Sequence, residues 1–199
     1  MRASEDRQTL AFYEAEAPVY ATSGTQGASG HLHAFLEALP AGARILELGC
    51  GSGRDAEAMI SAGFDVDATD GSPALAVEAE KRLGRPVRVL RFSQIVAVSE
   101  YRGVWANACL LHVPRQGLGA VLARIHRALV PGGLFGASYK AGTKEGRDCF
   151  GRYFNYPDEQ WVRASYGQAA DWAELTVERR VGSGYDGVVT DWLDVAAVG

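Results

Sequence analysis

The chain has 199 residues, 47% apolar and 22% charged, which is enough apolar material for one core in a soluble globular domain. Its 20 basic and 24 acidic residues give a net charge of −4 with no basic run, which argues against nucleic acid as the main partner. No apolar stretch is long enough to span a bilayer, the first residues carry acid where a leader carries only base, and Cys50, Cys109 and Cys149 stand apart without a zinc or disulfide pattern; a cytoplasmic chain with no membrane partner is expected.

In chain order, Leu10 and Tyr13 at helical spacing predict a helix over 4–16, which Pro18 should stop. A glycine- and serine-rich loop follows. Leu32, Phe35, Leu36 and Leu39 then mark one face of a second helix. Residues 44–48 read as a short buried strand ending in glycines. Helix and strand alternate from there: a helix over 54–62 with Ala56, Met59 and Ile60 inward, a strand over 64–69, and a helix over 73–83 opened by Ser72 and Pro73. Strands are predicted over 87–92 and 104–110. The clearest helix carries Leu118, Val121, Leu122, Ile125 and Leu129 on one stripe, and Pro131-Gly132-Gly133 should break it before a strand over 134–139. After a polar loop, a short helix near 157–165 precedes two strands, 172–181 and 188–196, joined as a hairpin through 182–187. Short connections in this alternation predict an α/β fold with a parallel, doubly wound sheet and an antiparallel last strand.

The densest chemical signal is Leu46-Glu47-Leu48-Gly49-Cys50-Gly51-Ser52-Gly53-Arg54-Asp55. A buried strand enters glycines at alternate positions and a helix begins at once, so a ligand can lie against bare peptide groups at the helix N-terminus. A dinucleotide fingerprint spaces its last glycine one residue further on. The acid ahead of the glycines, Glu47, would repel a phosphate and attract an ammonium or sulfonium. The next strand ends at Asp70, 21 residues after Gly49, where such folds place an acid that accepts the ribose hydroxyls. Gly71 and Ser72 follow, giving close approach and a helix cap.

These segments resemble the Rossmann-like methyltransferases that use S-adenosylmethionine. The likeness covers the glycine motif, Ala68-Thr69-Asp70-Gly71-Ser72-Pro73, Gly103 to Pro114, and Arg127-Ala128-Leu129-Val130-Pro131-Gly132-Gly133. Among them the chain is similar to a small bacterial tellurite-resistance-type group through Leu110-Leu111-His112-Val113-Pro114, Ser138-Tyr139-Lys140-Ala141-Gly142 and Gly151-Arg152-Tyr153-Phe154. The resemblance implies a seven-stranded sheet with helices on both faces. It implies a single methyltransferase domain over 1–199, with an N-terminal helical lid (1–40), a cofactor core (41–139), and a substrate loop with closing hairpin (140–199). S-adenosylmethionine is the implied cofactor and a small molecule the implied acceptor. Glu47, Gly49, Cys50, Gly51, Gly53 and Arg54 would then surround the methionine end. Asp70, Gly71 and Ser72 would hold the ribose side, Phe92 would pack on the adenine, and Cys109 and Leu110 would floor the sulfonium. The family's acid at the end of the third strand is replaced here by Arg91, which cannot accept from an adenine amino group.

His112 follows a strand end, where ligands of open α/β sheets gather, and is the candidate base. Lys140 and Arg152, with Lys144 and Arg147, are candidates to clamp an anionic acceptor. Tyr13 and Tyr20 precede the core and read either as packing or as a lid over the cofactor. His31 and His33 have the alternate spacing of a metal pair without nearby carboxylates or cysteines, so no metal site is expected. His126 is assigned to a polar helix face. A binding module without catalysis and a nicotinamide-dependent oxidoreductase are the rival readings.

Overall fold

A computed structural model describes residues 4–23 and 28–199. Its main sheet has seven strands: β1 (Arg44–Leu48), β2 (Asp65–Asp70), β3 (Arg88–Val89), β4 (Tyr101–Ala106), β5 (Leu129–Lys140), β8 (Glu174–Ser183) and β9 (Val189–Val198). They lie in the order β3-β2-β1-β4-β5-β9-β8. β9 alone runs against the direction of the other six strands. The expected doubly wound, mostly parallel sheet is present.

Each face of the sheet is covered. On one side α2 (Leu32–Glu37), α3 (Arg54–Ser61) and α4 (Pro73–Leu83) bury Phe35, Met59 and Ala79 against Ile45 and Trp105. On the other, α5 (Arg115–Ala128) and α6 (Glu159–Ala169) bury the stripe of Leu118, Val121, Leu122 and Ile125, with Val162 and Tyr166, against Leu46, Val104 and Phe135. The alternation of Ile45 and Leu46 between these clusters is the two-residue period of a strand buried on both faces. α4 is bounded as its sequence predicts: the Ser72 side chain accepts from the Leu75 N–H, Pro73 opens the first turn, and Gly84 closes it with φ +63°. No described helix is long and apolar enough to cross a membrane.

Several expectations need correction. Helix α1 (Arg7–Thr22) does not stop at Pro18 but contains it. The missing N–H costs one bond, yet Tyr20 beyond the proline packs against Gly51, and tertiary contact holds the last turn. α2 ends at Glu37, and Leu39 is buried outside it. The third strand shrinks to Arg88–Val89 and gives way to a 3-10 turn over Phe92–Gln94. β4 ends at Ala106 rather than 110, because Ala108 turns the backbone to φ +51° before a second 3-10 turn at Leu110–His112. Pro131-Gly132-Gly133 does not precede β5 but lies inside it, absorbed by a register shift opposite Tyr101 and Gly103. The polar loop after β5 contains an unforeseen small hairpin, β6 (Gly146–Arg147) with β7 (Tyr153–Phe154). His126 is half-buried, edge-on to Trp172 at 4.8 Å between ring centroids, rather than on a polar face.

Gly136 on β5 tests this packing. A Cβ there would lie 2.6 Å from the Trp105 ring and 3.0 Å from Phe35, too close for any side chain. Gly136→Ala is expected to destabilise the fold by about 1–3 kcal/mol through overpacking, read as a lower midpoint in urea unfolding at unchanged slope.

Candidate active site

The C-terminal ends of β1, β2, β4 and β5 open onto a cavity of about 950 Å³, the position where open α/β sheets bind ligands. Its floor is the turn after β1. Gly49 (φ +66°) and Gly51 (φ +57°) occupy backbone conformations that side chains avoid, and a Cβ on Gly49 would stand 2.6 Å from the Cys109 Cβ. The turn is tied to the next strand. The Asp70 carboxylate accepts the Gly51 N–H through Oδ2 at 2.9 Å and the Ser72 N–H through Oδ1 at 2.8 Å. Burial pushes Asp70 up to about 6, against three backbone N–H groups that favour its charged form.

Glu47 points its carboxyl into the same wall. It is 3% exposed, and among the described residues its Oε2 has no hydrogen-bond partner. Burial first, then the charges of Asp55 and Asp70, hold it well above the usual carboxylate range. Asp55 itself is saturated. It accepts from the Ser29 N–H at 2.7 Å, the Ser29 hydroxyl at 2.8 Å and the Trp105 indole N–H at 2.9 Å. Asn107 Nδ2 donates to Ser29 Oγ, while its Oδ1 accepts from Ser138 at 2.6 Å. This Ser29-Asp55-Asn107-Ser138 network borders the cavity and was not anticipated; the acid in the first turn of α3 was its one sequence signal.

Of the predicted site residues, Glu47, Gly49, Cys50, Gly51, Arg54, Asp70, Gly71, Phe92 and Cys109 line the cavity, as do Tyr20, His112, Lys140 and Arg152. Five do not. Gly53 caps α3 beneath Ala79 and Leu83, Ser72 is 1% exposed at the head of α4, and Leu110 is wholly in the core; Lys144 and Arg147 lie outside the cavity, Arg147 bonded to Asp6. Cys109 donates its thiol to the Leu48 carbonyl at 3.1 Å, and burial raises it well above the usual thiol range.

α1 closes the cavity over this floor. Leu10 lies where a Cβ on Gly71 would come within 3.2 Å, and Tyr20 does the same over Gly51. Glu14 accepts from the Ser72 hydroxyl at 2.5 Å and from the Ala74 N–H at 3.1 Å. Tyr20 meets Tyr13 edge-on at 5.3 Å and Tyr185, on the β8–β9 turn, at 5.1 Å.

His112 departs from the free base that its position suggests. Nδ1–H donates to the Tyr153 carbonyl at 2.6 Å, so Nε2 is the acceptor and takes the Tyr13 hydroxyl at 2.9 Å. Burial depresses His112 to about 3. Arg152 Nη1 donates to the Tyr13 oxygen at 2.9 Å, and burial raises the Tyr13 phenol. The two candidate clamps are likewise engaged. Arg152 is bonded to Asp148 through Nε and Nη2, and Lys140 to Asp186; all four side chains are less than a tenth exposed. The Arg152 guanidinium also sits 5.1–5.6 Å from the ring centres of Phe12, Tyr13, Phe150, Phe154 and Tyr185.

Over residues 45–133 the sequence matches the family described as methyltransferase domain. No curated protein matches the chain. Among solved structures, a protein of Methanosarcina mazei described as a SAM-dependent methyltransferase superposes with TM-score 0.72 at 16% identity, covering 86% of this chain and 98% of that one. The CcbJ methyltransferase of Streptomyces caelestis gives TM-score 0.72 at 17% identity, covering 98% and 100%. The 1,6-didemethyltoxoflavin-N1-methyltransferase of Burkholderia thailandensis gives 0.64 at 24% identity, covering 93% and 78%. These likenesses show a shared Rossmann-like methyltransferase fold.

If Arg152 is chiefly a buried counter-charge, Arg152→Met leaves Asp148 buried and unpaired. Chemical denaturation should then show a loss of about 3–5 kcal/mol; a loss below 1 kcal/mol would assign Arg152 no structural role.

Proposed function

We propose that this protein transfers a methyl group from S-adenosylmethionine to a small-molecule acceptor. The chain contains a methyltransferase domain, and the observation that carries the cofactor assignment is the acid-rimmed glycine turn. A buried carboxylate, Glu47, whose Oε2 has no partner among the described residues, and a second one lifted by burial, Asp70, stand beside bare backbone at Gly49 and Gly51. That wall fits a ligand bearing positive charge and is unsuited to a pyrophosphate. The ligand of one neighbour supports the same reading, since the Burkholderia enzyme was solved with S-adenosylhomocysteine.

Bound there, S-adenosylmethionine supplies an activated methyl whose transfer leaves the carbon–sulfur electron pair on a neutral thioether. The chain's own contribution is binding and alignment. Glu47 and Asp70 would face the cofactor's charge and ribose, Cys50, Gly51 and Arg54 its methionine end, and Phe92 its adenine. α1 would be the lid that excludes water through Leu10 and Tyr20. Alignment of this kind supplies up to about 7–11 kcal/mol of barrier, more than one base provides. The narrower likeness to the tellurite-resistance-type group is supported by the meeting of its three segments on one wall: the Tyr153 carbonyl accepts from His112, and Lys140 lies 5.2 Å from the centre of the Phe154 ring. The free thiols of Cys50, Cys109 and Cys149 support the cytoplasm as its compartment.

Titration calorimetry with S-adenosylmethionine tests the assignment. Asp70 holds its proton more tightly in the folded chain than its usual 3.8, so its contribution to stability falls as pH rises toward 6. A bound cation reverses that preference. Cofactor affinity is therefore expected to rise about tenfold between pH 5 and 7.5, and Asp70→Asn should flatten the dependence and weaken binding. No heat with S-adenosylmethionine, together with firm binding of NADH, would replace this reading with an oxidoreductase.

A further inference from the structure

The cavity has a second polar corner, where the head of α2 meets β9. His31, at the start of α2, and Asp194, on β9, both line it. His31 Nε2 and Asp194 Oδ1 stand 3.9 Å apart, too far for a hydrogen bond. Both atoms are buried, and neither has a hydrogen-bond partner among the described residues. Two open polar atoms so close together call for a group between them. Each is also held in place. The His31 ring lies 4.8 Å from that of Trp105, which is itself fixed by its indole N–H to Asp55. The other Asp194 oxygen accepts from Arg180 Nε at 2.6 Å, and that guanidinium stands 5.0 Å from the centre of the Trp192 ring.

We propose that the methyl acceptor carries a free hydroxyl and that His31 and Asp194 grip it, one donating and the other accepting. The proposal rests on the methyltransferase reading and names the substrate class of its cavity, a neutral alcohol or phenol. The charged groups acting on His31 are Asp55 from α3, Asp194 from β9 and Arg180 from β8, and Glu178 of β8 also lines the cavity. Burial is the largest influence and holds His31 below its ordinary value, so the ring is neutral at neutral pH. A neutral imidazole facing a carboxylate turns an N–H toward it rather than a lone pair, which makes Nε2 the donor and Oδ1 the acceptor. A group between them must therefore accept from one and donate to the other. An ammonium has no lone pair for Nε2, and a carboxylate or an ether has no hydrogen for Asp194. A hydroxyl serves both from a single oxygen about 2.8 Å from each, and it adds no charge beside an acid already paired with Arg180. His31 and Asp194 are positioning residues: their grip decides which compounds are held.

The test uses the full chain loaded with S-adenosylhomocysteine, whose own binding is measured first by calorimetry. Benzyl alcohol and phenol are compared with their methyl ethers, with benzylamine and with benzoate, while NMR follows the His31 imidazole. The hydroxyl probes are expected to shift the His31 resonances and to bind about tenfold more tightly than their ethers. His31→Phe keeps a ring on Trp105 but removes the donor. Asp194→Asn keeps an oxygen toward Arg180 and turns an N–H2 group toward the corner. Each substitution is expected to erase the preference for hydroxyl over ether, and retained affinity for S-adenosylhomocysteine shows the fold intact. In an acceptor screen read as S-adenosylhomocysteine formed, replacing the hydroxyl by hydrogen is expected to abolish turnover or raise KM about tenfold. Equal affinity for alcohol and ether with His31 unmoved would mean that water alone fills the corner, and would overturn the assignment. So would tighter binding of benzylamine or benzoate, or turnover of acceptors that lack a hydroxyl. These results leave the cofactor reading standing, whereas failure to bind either S-adenosylhomocysteine or S-adenosylmethionine would remove that reading and the acceptor assignment with it.

Discussion

The Asp70 carboxylate, buried at the end of β2 and shared between the N–H groups of Gly51 and Ser72, sets the geometry on which the cavity floor depends. It fixes the glycine turn relative to the end of β2 and the start of α4, so two separate backbone segments meet at one ion. Such an ion is unfavourable in a dry wall unless something compensates it, and here the compensation is partial. Backbone dipoles favour the charge, while burial and nearby acids oppose it. A floor held this way is both rigid and electrostatically unsatisfied, and that combination suits a site for a cationic ligand.

Much of this was legible in the chain itself, because short-range rules governed it. The alternation of apolar runs with glycine and proline punctuation reported the order of the elements. Ser72 and Pro73 located α4 to the residue, since a cap and a proline act within one turn. The glycine spacing and the acid at position 70 identified the cavity floor. What failed was decided at long range. Pro18 is read as a stop by its missing N–H, yet Tyr20 packs on a turn far away in sequence and carries the helix past it. The third strand read as six residues because Val87, Val89 and Leu90 favour extension, but only two of its residues find register partners on β2.

The functional side chains divide along the same line. His112 was found by its place after a strand, but its partners, Tyr13 from α1 and the Tyr153 carbonyl from β7, could be known only in three dimensions. Lys140 and Arg152 likewise read as available cations until Asp186 and Asp148 are seen beside them. A charge in a sequence is a possibility, whereas a charge in a fold has an environment that decides its use. The Ser29-Asp55-Asn107 network, marked in the sequence only by the acid in the first turn of α3, shows the same for the polar groups gathered around a carboxylate.

The contacts that complete this side of the cavity join α1 and its cap to residues 147–153, far along the chain. Asp6 meets Arg147 across 141 residues, Tyr13 meets Arg152 across 139, and Thr9 meets Tyr153 across 144. Closing so long a loop is only modestly more costly than closing a short one, but contacts of this separation form slowly. During synthesis the segment that becomes α1 leaves the ribosome before its partners and waits, its aromatic face uncovered, until the residues around 150 and 185 have been made. The strands that build the cavity floor are translated in the meantime. A newborn chain therefore acquires its floor before its roof, and the interval in between is when Phe12, Tyr13 and Tyr20 are most exposed to unwanted association.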